Sequence, residues 1–267
     1  MSRIAATFAR LAASHRKALI PFFTVGDPQL DMALPTMRAL VAGGADILEL
    51  GIPFSDPMAD GPTIQRASER ALKNGVTLTD VMAVVAEFRQ HDDVTPVVLM
   101  GYANPIERLG FSAFALQAQA AGVDGVLVVD YPPLEAGRLK ASLAQVGIDT
   151  IFLLSPTTSD ARLREIADLA TGYLYYVSLR GVTGAAHLDV DDVAAQVARI
   201  RRHATLPVGV GFGIRNGATA SRLGALADAI VVGSRLVETI EASALAEVTA
   251  RVEALMREFR LALDKNS

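Results

Sequence analysis

The chain has 267 residues, 51% of them hydrophobic, with a formal charge of −4 and no cysteine. That length suits one large domain or two small ones, and single α/β barrels commonly run to about 250 residues. The acidic balance without a basic block argues against a nucleic-acid partner. The missing cysteines exclude disulfides, thiolate nucleophiles and Fe–S ligation and fit a cytoplasmic protein, and no apolar run is long enough to span a membrane.

The first 26 residues carry Arg3, Arg10, Arg16 and Lys17 and no acid, a composition that imitates a transit peptide. They also place Ile4, Phe8 and Leu11 on one face of a helix, and that reading predicts a cap over the open bottom of a barrel. Strands are predicted at Ala18–Val25, Asp46–Gly51, Pro96–Gly101, Gly125–Asp130, Thr150–Leu154, Tyr173–Ser178, Pro207–Gly211 and Ala229–Val232. Helical patterns follow each strand, at Asp31–Ala42, Thr63–Arg89, Phe111–Ala121, Leu134–Val146, Asp160–Leu169, Asp191–His203, Ala218–Leu226 and Ala244–Leu263, with a short extra turn at Arg235–Ile240 after the eighth strand. Eight strand–helix units predict an α/β protein, a single (βα)8 TIM barrel over residues 1–267. An open doubly wound sheet is the alternative, but its dinucleotide fingerprint would need glycine where Ile214 stands.

Strand ends and the loops after them form the active face of such a barrel. The segment Leu48–Gly61 is the most informative there. Alternation puts Ile47 and Glu49 on one side of strand 2 and Leu48 and Leu50 on the other, so a carboxylate sits among residues that read as buried. No lysine or arginine falls on any predicted strand, and burial should therefore raise the Glu49 pKa. Two further acids, Asp56 and Asp60, lie in the following loop. Two carboxylates in unlike surroundings can hold different protonation states. Phe22, Met100, Tyr102, Leu127, Val129, Leu153, Tyr173, Tyr175 and Phe212 fall near strand ends and predict an apolar cup for a flat aromatic molecule. Glycine-rich segments at Gly181–Gly184, Gly209–Gly213 and Gly233-Ser234 converge on the late rim, where backbone N–H groups can hold a phosphate.

Absences narrow the chemistry. None of Lys17, Lys73, Lys140 and Lys265 lies late on a strand, which disfavours a Schiff-base aldolase. His15, His91, His187 and His203 make no metal-spaced pair, and no G-x-S-x-G elbow is present. Carboxylate acid–base work remains, on a substrate that supplies its own electron sink.

The motif Leu48–Gly61 closely resembles the signature of the tryptophan synthase α subunit family. The likeness continues through Pro21–Pro28, Met100–Pro105, Asp130–Pro133, Gly181–Gly184 and Gly211–Ile214. It implies a barrel that cleaves indole-3-glycerol phosphate to indole and glyceraldehyde 3-phosphate in tryptophan synthesis. It implies Glu49 as acid–base, Asp60 as acceptor of the indole N–H, and Tyr175 as a hydrogen-bonding assistant. Gly184, Gly213, Gly233 and Ser234 would hold the phosphate, and Thr183 would touch Asp60 when loops close. Asp56, Asn104 and Pro132 become candidate contacts to a β subunit in an α2β2 assembly, with pyridoxal phosphate in that partner and no cofactor in this chain. The segment after strand 6 departs slightly, with Leu179 preceding Arg180. A partner-independent lyase and a catalytically weak regulatory barrel are the alternative readings.

Overall fold

The structure, a computed structural model, describes residues 1–178, 190–211 and 213–265. Eight parallel strands close on themselves in chain order: β1 (Ala18–Thr24), β2 (Leu48–Gly51), β3 (Val97–Gly101), β4 (Gly125–Val128), β5 (Asp149–Leu154), β6 (Leu174–Val177), β7 (Val208–Gly211) and β8 (Ala229–Val232). The helices among the described residues are α1 (Arg3–Ala13), α2 (Ala33–Ala42), α3 (Pro62–Lys73), α4 (Leu78–Arg89), α5 (Ala103–Leu109), α6 (Phe111–Ala121), α7 (Gly137–Gln145), α8 (Asp160–Leu169), α9 (Val190–Arg201), α10 (Gly217–Gly224), α11 (Ser234–Glu241) and α12 (Val248–Asp264). The predicted barrel, its capping helix and the extra helix after β8 are all present.

Strand alternation splits the core in two. Leu48, Leu50, Leu99 and Val210 face the helices, whereas Ile47, Val98, Leu127 and Val231 fill the barrel. Helix α1 presses Ile4, Phe8 and Leu11 into the bottom of that inner cluster, so these residues belong to the fold. Aspartates at the strand entrances stitch the same end. Asp46 accepts from the Leu19 N–H at 2.9 Å, Asp124 from Val97 at 2.8 Å and Asp228 from Val208 at 2.9 Å. Arg260, Arg89 and Arg201 pair with these three carboxylates. The charge at the barrel bottom is thus engaged in stability, which leaves the opposite rim for chemistry.

Two predicted elements differ. The long helix Thr63–Arg89 is two helices. Asn74 ends α3, Gly75 takes a left-handed φ of 74°, and Thr77 starts α4 with a capping box to Asp80. The segment after β3, where no helix is predicted before Phe111, forms helix α5, whose first turn accommodates Pro105 without losing an intrahelical bond. Several strands are also a residue or two shorter than expected; β2 begins at Leu48, and just before it Asp46 bonds Leu19 through both its backbone N–H and its side chain.

Candidate active site

Glu49 lies on β2, in register with Phe22 of β1 and Val98 of β3, and is fully buried. Its side chain points into the barrel, as the alternation with Ile47 requires. The Tyr173 hydroxyl donates to Glu49 Oε1 at 2.9 Å, while Oε2 is buried without a hydrogen-bond partner among the described residues. Desolvation pushes the Glu49 pKa up from 4.5 to about 7, with the Tyr173 bond opposing the rise. A carboxyl poised near neutrality, with one oxygen free, is suited to give and take a proton.

Asp60 stands at the mouth of the barrel in the loop after β2. The Tyr102 hydroxyl donates to Asp60 Oδ2 at 3.0 Å and accepts from the Ala59 N–H at 3.0 Å. Phe54 stacks on the Tyr102 ring with centroids 4.9 Å apart. The Gln65 amide grips the Asp60 carbonyl from α3 at 2.9 Å. Burial raises the Asp60 pKa from 3.8, and the Tyr102 bond holds it back. Tyr102, expected as wall of the cup, is thus also the anchor of the second acid.

Tyr175 on β6 feels the charge of both carboxylates. Burial raises its hydroxyl pKa well above 10, and the charges of Glu49 and then Asp60 raise it further, so it remains a donor. The expected cup is assembled too. Leu127 and Tyr173 are buried in the inner cluster, with Met100, Val129, Leu153 and Tyr175 packed on it. Phe22 closes one side against Ala67 of α3 and Val237 of α11, with Ile64 and Met100 alongside.

Two of the phosphate candidates, Gly233 and Ser234, fall at one edge of this cup. Gly233 precedes α11, and that helix starts without a side-chain cap, leaving its first N–H groups available. A Cβ at Gly233 would lie 3.6 Å from Phe22, so this end of α11 borders the aromatic wall. Ser234 is exposed there. Gly213 is exposed with a φ of 73°, a backbone shape that favours glycine. Thr183, Gly184 and Phe212 lie outside the described residues. Asp56, Asn104 and Pro132 are all exposed in the segments after β2, β3 and β4. Met58 and Leu134, 86% and 79% exposed, lie in the same segments.

Comparison with known proteins agrees with this geometry. The family model described as tryptophan synthase alpha chain matches residues 8–264. A tryptophan synthase alpha chain from Cupriavidus taiwanensis is 59% identical over 264 residues, covering 99% of this chain and 100% of the relative. One from Nitrosospira multiformis is 57% identical over 267 residues, covering 100% of this chain and 96% of the relative. The crystal structure of tryptophan synthase subunit alpha from Legionella pneumophila superposes with a TM-score of 0.94 at 43% identity, covering 99% of both chains.

This chain belongs to the tryptophan synthase alpha chain family. Membership carries the role of an enzyme subunit in tryptophan biosynthesis.

Sequence reading missed the supports of the tryptophan synthase alpha chain site: Gln65 beneath Asp60, and Ile64 and Ala67 under Phe22. The signal was the amphipathic start of α3 immediately after Gly61-Pro62. It also missed why Gly211 is a glycine. A Cβ there would overlap the Tyr175 hydroxyl, the free end of a side chain, so the ring would swing away while the strand stayed put. Gly211→Ala is therefore expected to cut turnover by roughly 10- to 100-fold, the scale of an ångström-sized misplacement, with little change in melting temperature. Unchanged turnover in this variant would show that the Tyr175 position does not matter.

Proposed function

We propose that this chain cleaves indole-3-glycerol phosphate to indole and glyceraldehyde 3-phosphate, a carbon–carbon lyase reaction. One observation carries the reading: Glu49 is fully buried in the barrel with one oxygen unpartnered among the described residues, and burial raises its pKa to about 7. The indole ring lies in the cup formed by Phe22, Met100, Leu127, Val129, Leu153 and Tyr173. The phosphate rests on backbone N–H groups at Gly213, Gly233 and Ser234, joined by Gly184.

Protonated Glu49 gives its proton to C3 of the indole, which turns the ring into an iminium-like cation. Asp60 accepts the ring N–H and stabilises that charge. The Glu49 carboxylate then takes the proton of the hydroxyl on the carbon attached to C3. As that oxygen becomes the aldehyde oxygen, the C3–carbon bond breaks and its electrons restore the indole. The proton lost from the hydroxyl balances the one gained at C3. Tyr175, a hydroxyl donor near both carboxylates, assists by hydrogen bonding, and Thr183 meets Asp60 when the loops shut out water.

The exposed rim that holds Asp56, Asn104 and Pro132, with Met58 and Leu134 beside them, is proposed as the face for a tryptophan synthase β chain. The assembly would be α2β2, in the cytoplasm, with pyridoxal phosphate in the partner. The whole chain would act as one domain. Indole release from indole-3-glycerol phosphate, with and without a β chain, tests the reading. Release that rises on adding the β chain is expected. No release under either condition would overturn the lyase assignment, and release indifferent to the β chain would overturn the partnership.

A further inference from the structure

Helix α3 begins two residues after Asp60 and is clamped along its length. The Asn74 amide at its C-terminal end donates to the carbonyls of Gly26 and Pro28 at 3.1 and 2.7 Å. One turn earlier, Arg70 grips the buried Asp27 with two bonds of 2.6 and 2.9 Å. The loop after β1 thus holds the far end of α3 rigidly.

The same helix face is tied sideways to α11. Arg66 and Arg70, four residues apart and so on one face, both reach Glu241. Arg66 makes two bonds of 2.9 Å to it and Arg70 one of 2.7 Å. Glu241 is the last residue of α11, whose first residues, with Gly233, form the proposed phosphate cradle. An acid at a helix C-terminus is poorly placed with respect to the helix dipole, so it adds nothing to α11 by itself. Its worth lies in the two arginines. At the other end of α3, Gln65 holds the Asp60 carbonyl.

We propose that Arg66, Arg70 and Glu241 are positioning residues that fix the spacing between Asp60, at the indole end of the substrate, and the phosphate cradle on α11. The two helices form one braced unit that measures the length of a ligand carrying an aromatic head and a phosphate tail. This rests on the roles given to Asp60 and α11 under the proposed function. A ligand that reaches only the cradle does not feel the brace.

The test uses the full-length chain and two probes: inorganic phosphate, and a non-cleavable analogue in which indole carries a saturated three-carbon phosphate chain. Glu241→Ala removes the clamp at a side chain that is 32% exposed and leaves the Arg70–Asp27 pair intact. It is expected to weaken the analogue about tenfold, within the range of coupled neighbours, and to leave phosphate affinity unchanged. Arg66→Met, at a side chain 48% exposed, removes two of the three bonds to Glu241 while sparing the Arg70–Asp27 pair, and it should weaken the analogue in the same direction and leave phosphate unaffected. In an Asp60→Asn background, Glu241→Ala should cost the analogue little more, because the brace acts through Asp60. Equal weakening of both probes, or additive losses in the double variant, would overturn the inference while leaving the lyase reading untouched. Analogue binding unaffected by Asp60→Asn alone would overturn the role of Asp60 itself, and the inference with it.

Discussion

Glu49→Gln is expected to lower indole release by about 10³-fold or more, the upper part of the range that a positioned general acid–base supplies. Glutamine keeps the shape and still accepts from Tyr173, which lies 2.9 Å from Oε1. It cannot release a proton to C3 or accept one from the hydroxyl. The cup residues and the α11 cradle are untouched, so the non-cleavable analogue should bind within about threefold of its normal affinity, since uniform binding is separate from transition-state stabilisation. Single-turnover assays with substrate and titration with the analogue measure the two effects. Turnover near that of the unaltered chain would refute Glu49 as the proton carrier.

The same substitution should reshape the pH dependence of stability. Glu49 titrates at about 7 when folded, against 4.5 as a free group, because burial disfavours its charge. The folded protein therefore holds this proton more tightly than the unfolded chain does. Its favourable contribution is complete below pH 4.5 and is lost as pH rises through 7. At pH 8 the buried charge costs about 3 kcal/mol, and glutamine carries no such cost. The stability of Glu49→Gln relative to the unaltered chain should thus grow by about 3 kcal/mol between acid and mildly alkaline pH, roughly 6 °C in melting temperature for a chain of this size. Groups common to both proteins cancel in the comparison. Melting curves taken in parallel across that range, with a constant gap between them, would show that Glu49 is not held neutral by burial.

Much of the barrel was legible in the chain. The inward turn of Glu49 followed from the two-residue period of β2, and the α1 plug from the spacing of Ile4, Phe8 and Leu11. The break between α3 and α4 was also written there, in Asn74-Gly75 and in the Thr77–Asp80 capping box, but the long apolar pattern masked it. Helix α5 was hidden because Pro105 reads as a loop residue unless its place in a first helical turn is known.

The acids show the division most clearly. That Glu49 is buried, and that Asp60 follows on a loop, are consequences of local periodicity, because a strand's two faces and a proline-broken strand end are short-range facts. Which groups meet those acids is another matter. Tyr173 reaches Glu49 across 124 residues of chain, and Tyr102 reaches Asp60 across 42. Pairing of β2 with β3 sets Tyr102 beside Asp60, and closure of the barrel brings Tyr173 across to Glu49. The proton affinity of Glu49 depends on its complete burial, opposed by the one Tyr173 hydroxyl, and the position of Asp60 depends on Tyr102 and on Gln65 of α3. Composition and spacing determined which residues could do the chemistry; the closed sheet decided the company they keep, because desolvation and hydrogen bonding are set by neighbours in space.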